Sequence, residues 1–195
     1  MNRHRRRRSA ALALAAVLLA PAGAVAQPAG EAAILSTYGS RLGANKRPRL
    51  QSHAGVDFGA KPGSPVLAAA DGVVSKLIDA PLGCGIGVVL DHPGFGRHTA
   101  YCHLRRARVR VGQRVVRGET IGLVGTTGNA VGVPHVHFEL CTAACSSHAD
   151  GDLRGTADPL RVADGCFDSR KSYPRDRLVL TFPVPCLYWA WEKYR

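Results

Sequence analysis

Short runs rich in Val, Ile and Leu fill this chain from Ile34 onward, and Gly, Pro or Asp interrupts them every few residues. This spacing and turn chemistry are typical of an antiparallel sheet or sandwich, not of alternating strands and helices. We therefore predict an all-β domain with few helices. Its predicted strands cover Val56–Phe58, Pro65–Ala69, Gly72–Ile78, Ile86–Leu90, His98–His103, Arg108–Val111, Thr120–Val124 and Val136–Leu140.

The first 26 residues have the three regions of a secretory signal peptide. A basic run ends at Arg8, and an uncharged apolar stretch from Ser9 to Ala20 is too short for an ordinary membrane span. Ala24-Val25-Ala26 then offers the small residues that signal peptidase reads. We predict cleavage after Ala26 and export to the periplasm or the medium, with no membrane attachment afterwards; the alternative is an uncleaved N-terminal anchor.

The remaining chain is divided by composition into three parts. Residues 27–33 resemble a short linker, and residues 34–165 form the predicted β domain, which closes near Asp158-Pro159-Leu160. Residues 166–195 contain two Cys and several aromatic residues, and we predict that they form an extension packed on the domain.

The chain is strongly basic, with a formal net charge of +12 that falls to +7 when the five Arg of the leader are removed. A basic surface suits a polyanionic partner. For an exported protein, an anionic wall or envelope polymer is a better candidate than nucleic acid. We expect a monomer that binds no nucleic acid.

All six Cys follow the predicted leader, and an even number in an exported chain indicates disulfides. Cys84 and Cys102 flank a predicted hairpin, so we expect them to be joined, and we expect a Cys166–Cys186 bridge to close the extension. The spacing Cys141-x-x-x-Cys145-x-x-His148 leaves open a second, structural zinc site, although disulfides are favoured in an oxidising compartment.

Two histidines alternate in the segment His135-Val136-His137-Phe138. In a strand, residues i and i+2 share a face, so both imidazoles emerge on one side while Val136 and Phe138 point to the other, toward the core. Imidazole is a good zinc ligand, and two on one face suit a metal site. Two solvated histidines on an outer face would give the same pattern.

A second segment, His53-Ala54-Gly55-Val56-Asp57, combines an imidazole with a carboxylate. In a straight strand these two side chains would be about 13 Å apart, too far for one metal ion. The chain must bend between them, and we expect Gly55 to permit the bend.

A third segment, Tyr101-Cys102-His103-Leu104, adds one more histidine; strand alternation predicts that His103 shares a face with Tyr101. The three segments together supply four His and one Asp. A catalytic Zn²⁺ needs three protein ligands and an open position, which leaves two His to handle protons.

The order H-x-x-x-D, Y-x-H-L and H-x-H followed by Phe-Glu-Leu resembles the lysostaphin/LytM family of zinc endopeptidases, which cut peptide bonds in peptidoglycan. The resemblance covers about residues 34–160, including Tyr38–Arg41, residues 53–74 and residues 111–128. It implies an antiparallel β domain with a groove that holds one zinc ion, and peptidoglycan peptides as the substrate.

The resemblance assigns His53, Asp57 and His137 as zinc ligands and His103 and His135 as the catalytic pair. It implies that one of the pair accepts a proton from water while the other helps to hold the oxyanion, in an order left open. Glu139 shares the face of His135 and His137, but the family does not use that position as a base, and we reject that role.

Two features depart from the family pattern. The approach to His135, residues 129–134, is longer than usual, which bears on the rim of the groove, and the Cys-rich segments after Leu140 are not general family features. The alternative function is a catalytically inactive relative that activates a cell-wall amidase. A biotinyl or lipoyl carrier domain is disfavoured because no Lys lies at a suitable hairpin tip.

Overall fold

The structure is a computed structural model, and it describes residues 32–130, 132–143, 145 and 153–186. The predicted signal peptide and most of the predicted linker lie outside the described residues. So do His148 and the aromatic residues Tyr188, Trp189, Trp191 and Tyr194.

Strands make up nearly all of the regular secondary structure in the described chain, as the sequence predicts. Its single helical element is a 3₁₀ helix over Pro159–Val162, with Asp158 accepting a hydrogen bond from Leu160 N at its start. The strands are β1 (Ala33–Ser36), β2 (Val56–Gly59), β3 (Pro65–Leu67), β4 (Gly72–Ala80), β5 (Gly85–His92), β6 (Arg97–Ala107), β7 (Arg114–Val115), β8 (Thr120–Val124), β9 (His135–Cys141) and β10 (Thr156–Ala157). Within the described residues, no helix has the length and apolar character needed to cross a membrane.

The predicted strand over Arg108–Val111 is wrong. Strand β6 instead runs on to Ala107, and the chain then turns, with Gln113 N donating to Arg110 O. Gly112 takes a left-handed φ of 82° in this turn, which a residue without Cβ adopts readily. The apolar residues of this segment therefore belong to a turn, and the next strand is the short β7.

All pairings between the strands are antiparallel, in the order β1-β2-β9-β6-β5-β4-β7. One edge of β6 serves two partners: residues 98–102 pair with β9, and residues 104–107 pair with β8. Strand β8 also pairs with β3, so the sheet branches at β6. His103 is the residue at which β6 changes partner.

The main core lies on one face of this sheet. Its largest fully buried apolar and aromatic members are Phe58, Leu90, Tyr101, Leu104 and Phe138. The rings of Tyr101 and Phe138 lie 5.1 Å apart, on the directly opposed residues of β6 and β9. Burial of side chains of this size, at roughly 1.5–3 kcal/mol each, fixes the register of β9 and hence the face on which its histidines emerge.

Three disulfides join all six cysteines, and two of them are the predicted pairs. Cys84–Cys102 links the segment before β5 to β6, and Cys166–Cys186 closes the C-terminal segment. The third bridge joins Cys141 to Cys145. Because its two thiols are consumed in this bridge, the alternative of a second, structural zinc site is not realised.

The segment after residue 165 is anchored in the main core. Leu180 and Val184 belong to the core cluster, and Pro183 O accepts a hydrogen bond from Leu67 N at 2.8 Å. Ala163 and Leu180 form a parallel bridge. The described part of the predicted extension therefore shares the hydrophobic core of the β domain.

Candidate metal centre and catalytic groove

Three of the predicted site residues converge in the interior, with their ligand atoms almost in contact. His53 Nε2 lies 2.8 Å from His137 Nδ1, and both nitrogens lie 3.0 Å from Asp57 Oδ1. Asp57 and His137 face each other across the β2–β9 pair. All three side chains are buried. Two separate β segments thus bring the H-x-x-x-D and H-x-H motifs to one point.

Gly55 permits this convergence because its missing side chain leaves space for strand β9. Its backbone conformation is not unusual. A Cβ atom at this position would lie 2.4 Å from Phe138 O and 2.9 Å from His137 Cε1. Real Cβ atoms essentially never approach other atoms so closely. The predicted bend between His53 and Asp57 is present, and glycine is needed so that β9 can lie against it.

His53 and His137 each direct one ring nitrogen to a hydrogen-bond partner outside the cluster. His53 Nδ1 lies 3.0 Å from Thr37 O, and His137 Nε2 lies 2.9 Å from Glu139 Oε1. A ring N–H donated to these oxygens leaves the other nitrogen of each ring unprotonated and directed at Asp57. In these tautomers two nitrogen lone pairs and a carboxylate oxygen face one another, an arrangement that a cation between them stabilises.

The donor set and its spacing fit a zinc ion. Bonds of 2.0–2.1 Å in tetrahedral geometry place neighbouring ligand atoms about 3.3 Å apart. The separations of 2.8–3.0 Å need to widen by only a few tenths of an ångström. Two imidazoles and one carboxylate, with the fourth direction left to a small molecule, are the ligand type of catalytic zinc.

The electrostatics of the cluster favour a positive charge at the same point. Burial would raise the pKa of Asp57, but hydrogen bonds with His137 and His53 hold it well below its ordinary value. Burial lowers the pKa of His137, yet its hydrogen bonds to Asp57 and Glu139 outweigh burial and raise it to about 9. Burial lowers the pKa of His53. Without a metal ion the cluster therefore attracts a proton.

The remaining two predicted histidines lie beside this cluster. The rings of His103 and His135 are 4.8 Å apart between centroids, and His135 Nε2 is 3.6 Å from Asp57 Oδ1. His103 Nδ1 lies 2.9 Å from Thr127 O, and His135 Nδ1 lies 2.7 Å from Val133 O. Donation of both Nδ1–H groups to carbonyls leaves both Nε2 atoms as proton acceptors.

The predicted face of His103 is wrong because the backbone departs from regular strand geometry where β6 changes partner. Tyr101 and Leu104 both enter the main core, whereas His103 turns to the face of His135 and His137. His103 has a left-handed φ of 65°, and its N–H donates to Cys84 O at 2.8 Å. Such a conformation is unfavourable for a residue with a side chain and concentrates at functional sites. It occurs where β6 passes from β9 to β8.

Both flanking histidines are poised to be neutral at physiological pH. Burial, reinforced by the nearby His135 and His137, lowers the pKa of His103 to about 3. Burial also lowers the pKa of His135, against an opposing effect of Asp57. Neutral imidazoles with an unprotonated Nε2 beside the groove are suited to accept a proton from water.

An open groove of about 500 Å³ gives access to the cluster. Among its lining residues are His103, His135, His137, Arg49 and Asn129. Asn129 belongs to the approach to His135 that departs from the family pattern, and that approach therefore contributes to the rim.

Sequence reasoning missed two charged neighbours of the cluster. Arg49 Nη2 donates to Asp57 Oδ2 at 2.8 Å, which leaves Asp57 Oδ1 to the histidines. Glu139, considered above only as a base, instead holds Nε2 of His137. The alternation His-x-His-x-Glu in β9 signals the second contact, because it places all three residues on one face. Nothing in the sequence around Arg49 signals the first.

This antiparallel β fold brings two imidazoles and a carboxylate together beneath an open groove that His137 lines, with two further imidazoles beside them. These are the features of a metal-dependent hydrolase. The chain belongs to peptidase family M23: the model of that family matches residues 51–148, half of the chain. The matched region contains all five predicted site residues, and the predicted resemblance to lysostaphin/LytM-type peptidases is confirmed.

Individual relatives agree with this membership. The chain is 44% identical over 92 residues to the peptidoglycan DD-endopeptidase ShyA of Vibrio cholerae, a match that covers 47% of this chain and 21% of the relative. It is 45% identical over 91 residues to an uncharacterized metalloprotease of Haemophilus influenzae, covering 47% and 19%. The chain thus spans about a fifth of the length of these relatives.

The fold agrees with a solved structure. The catalytic domain of the antimicrobial peptidase lysostaphin from Staphylococcus simulans superposes with a TM-score of 0.56 at 28% identity. The superposition covers 67% of this chain and 90% of the lysostaphin domain. The architecture is therefore that of the lysostaphin-like peptidases.

Proposed function

We propose that this protein is a zinc-dependent endopeptidase that hydrolyses peptide bonds in bacterial peptidoglycan. The observation that carries the proposal is the convergence of His53 Nε2, Asp57 Oδ1 and His137 Nδ1 within 3.0 Å of one another. These three residues would hold a single zinc ion. The names of relatives that act on peptidoglycan support the substrate class.

When bound, zinc supplies a Lewis acid that polarises the scissile carbonyl and lowers the pKa of water. His103 and His135 form the catalytic pair, each with Nε2 available at the groove and Nδ1 held by a carbonyl. One Nε2 accepts the proton of the attacking water, and a ring that has gained this proton becomes a donor to the oxyanion or the leaving amine.

We also propose that the protein is exported and acts in the cell wall. All six cysteines are joined in disulfides, which persist in oxidising compartments and are rare in the cytosol. The signal peptide predicted over residues 1–26 agrees with this location. Peptidoglycan, the proposed substrate, lies in the same compartment.

The test is digestion of purified peptidoglycan by the chain from Gln27 onward, with release of soluble muropeptides followed by mass spectrometry. We expect release with zinc, loss on chelation, recovery on zinc addition and loss in His137→Ala. His103→Ala and His135→Ala should retain zinc but lose about 10²- to 10⁴-fold in rate. The masses of the released fragments identify the bond that is cut.

Two results would count against the proposal. Release that survives chelation and the His137→Ala substitution would remove the metal mechanism. Complete inactivity of a protein with one tightly bound zinc ion would favour the alternative, an inactive activator of a cell-wall amidase, which is tested by adding the protein to an amidase assay.

A further inference from the structure

A second cavity, here termed the cationic pocket, lies between the β domain and the C-terminal segment. Its volume is about 600 Å³. It is bordered by the turn between β5 and β6, by the entry to β4, and by residues 167–179. Its lining residues with charged or aromatic side chains are Asp71, Phe95, Arg117, Phe167, Lys171, Tyr173, Arg175 and Arg177.

The cationic pocket is remote from the candidate metal centre. Phe95 precedes β6, whereas His103 lies six residues beyond the first residue of that strand, Arg97. At about 3.3 Å per strand residue the separation along β6 is roughly 20 Å. None of the pocket's lining residues lines the groove that holds the histidines. The pocket is therefore a separate site.

Hydrogen bonds and a ring contact hold Arg117 in place at the floor of the pocket. Its guanidinium donates to Ala69 O and to Val179 O at 2.7 Å, and so joins the β domain to the C-terminal segment. The same guanidinium stacks 4.1 Å from the centre of the Tyr173 ring, and Arg117 N donates to Asp71 Oδ1. These contacts fix the positions of both walls of the pocket.

The C-terminal wall is held by covalent and apolar contacts. The Cys166–Cys186 bridge, with a sequence separation of 20, closes the segment that contains this wall. Leu180, which follows the wall directly, is fully buried in the main core. A pocket whose walls are anchored in this way is largely preformed for a ligand, as binding sites usually are.

The lining of the cationic pocket carries a net positive charge, and some of its cationic groups have no carboxylate partner within the described residues. Four cationic side chains line it against the single carboxylate of Asp71. Lys171 pairs with Asp164. Arg175 and Arg177 are exposed, and neither forms an ion pair within the part of the chain that the structure describes. Two guanidinium groups thus remain for an external anion.

We propose that the cationic pocket binds anionic units of the cell-wall polymer, which carry carboxylate or phosphate groups, and thereby recruits the enzyme to its insoluble substrate. This inference rests on the proposed function for the identity of the polymer. Arg175 and Arg177 contact the carboxylate or phosphate oxygens, for which the planar guanidinium is the preferred partner. The half-buried ring of Phe95 provides an apolar surface for the sugar ring.

The test is co-sedimentation of the full mature chain with purified peptidoglycan in the presence of a chelator, which prevents hydrolysis. The variant Arg175→Gln/Arg177→Gln should bind at least tenfold more weakly, as expected for lost charge-assisted contacts, and Phe95→Ala should also weaken binding. The matched control is Arg110→Gln/Arg114→Gln, which removes the same charge from exposed positions outside the pocket. Near-ultraviolet circular dichroism verifies that each variant is folded.

A second arm identifies the source of the anion. Treatment of the peptidoglycan with hydrogen fluoride removes phosphodiester-linked polymers and leaves its carboxylates. Retained, pocket-dependent binding assigns the ligand to peptidoglycan itself, and lost binding assigns it to an attached phosphate polymer. Two results would overturn the proposal. Equal losses of binding in the pocket and control variants would mean that general surface charge causes the attraction, and no loss of binding in either would mean that other contacts cause it.

Hydrolysis gives an independent readout. The pocket variant should cleave intact peptidoglycan more slowly but cleave a small soluble stem peptide at the unaltered rate. If the proposed peptidase activity is absent, both rates are zero while the sedimentation result still decides the role of the pocket. Binding of double-stranded DNA with equal or greater affinity would instead identify a nonspecific polyanion surface.

Discussion

Glu139 Oε1 lies 2.9 Å from His137 Nε2, and both side chains are almost completely buried. The carboxylate therefore fixes the ring of His137 so that Nδ1 faces His53 and Asp57. A carboxylate behind a metal-binding imidazole selects its tautomer and increases its basicity. Glu139 is thus a positioning residue in the proposed zinc site.

We expect Glu139→Ala to weaken zinc binding by about 10- to 100-fold, the usual effect of losing such a partner. Glu139→Gln retains an acceptor for the ring N–H, so its effect should be smaller. Competition with a fluorescent zinc chelator measures both affinities. Glu119→Gln, in the loop that follows β7, is the control, and an unchanged affinity in Glu139→Ala would contradict this role.

Arg49 is expected to stabilise the fold through the buried carboxylate of Asp57. Its Nη2 donates to Asp57 Oδ2, whose side chain is inaccessible to solvent. Arg49→Met leaves this oxygen without its donor, and we expect the free energy of unfolding to fall by about 1–3 kcal/mol in the metal-free protein. Urea unfolding in chelator measures the change.

The exposed neighbour Arg47 supplies the control for this measurement. Arg47→Met should alter the free energy of unfolding by less than about 0.5 kcal/mol, as surface substitutions usually do. Equal effects of the two substitutions would show that the contact with Asp57 contributes nothing measurable.

Two disulfides close loops of similar length but should differ in their effect on activity. Their sequence separations are 18 for Cys84–Cys102 and 20 for Cys166–Cys186. Replacing either pair with Ala should lower the free energy of unfolding by about 3 kcal/mol. Only the Cys84–Cys102 variant should also lose activity on a soluble peptide, because Cys84 O accepts the hydrogen bond of His103 N.

Chemical unfolding and peptide hydrolysis, measured on both double variants, test this contrast. The Cys166–Cys186 variant serves as the stability-matched control. Equal losses of activity at temperatures where both variants are folded would show that the first bridge has no specific effect on His103.

The buried His92 should make stability depend on pH. Its Nδ1 lies 2.8 Å from Asp71 O and its Nε2 lies 2.9 Å from Thr99 Oγ1. Burial lowers its pKa below the ordinary 6.5, and the charges of His98, Arg117 and Asp91 have smaller effects. As the pH falls, His92 therefore gains its proton in the unfolded chain before it does so in the folded chain. Its contribution to the free energy of unfolding is fully present above pH 6.5 and is lost as the pH falls below 6.5.

The variant His92→Gln removes this titration. We expect the difference in unfolding free energy between the native chain and the variant to shrink as the pH falls from 6.5 to 5.5, by at most about 1 kcal/mol. Urea unfolding at a series of pH values measures it. Parallel pH curves for the two proteins would mean that His92 keeps an ordinary pKa in the folded state.

Much of this architecture could be read from local pattern. The alternation of β9 places Val136 and Phe138 in the core and the histidines opposite, and the structure has this arrangement. Most strand positions were predicted correctly from the Gly, Pro and Asp residues that separate the apolar segments. The Arg108–Val111 prediction failed because apolar alternation also occurs in a turn, where the left-handed Gly112 and a hydrogen bond from Gln113 to Arg110 determine the conformation.

The sequence by itself determined which residues are available for the site, because residue type and the period-two alternation of strands are local properties. Only the tertiary structure decided how they are used. Arg49, Thr37, Thr127 and Val133 act on the site through contacts made by folding, and His103 turns toward it because β6 changes partner there. Such contacts depend on distances between segments that no local pattern encodes.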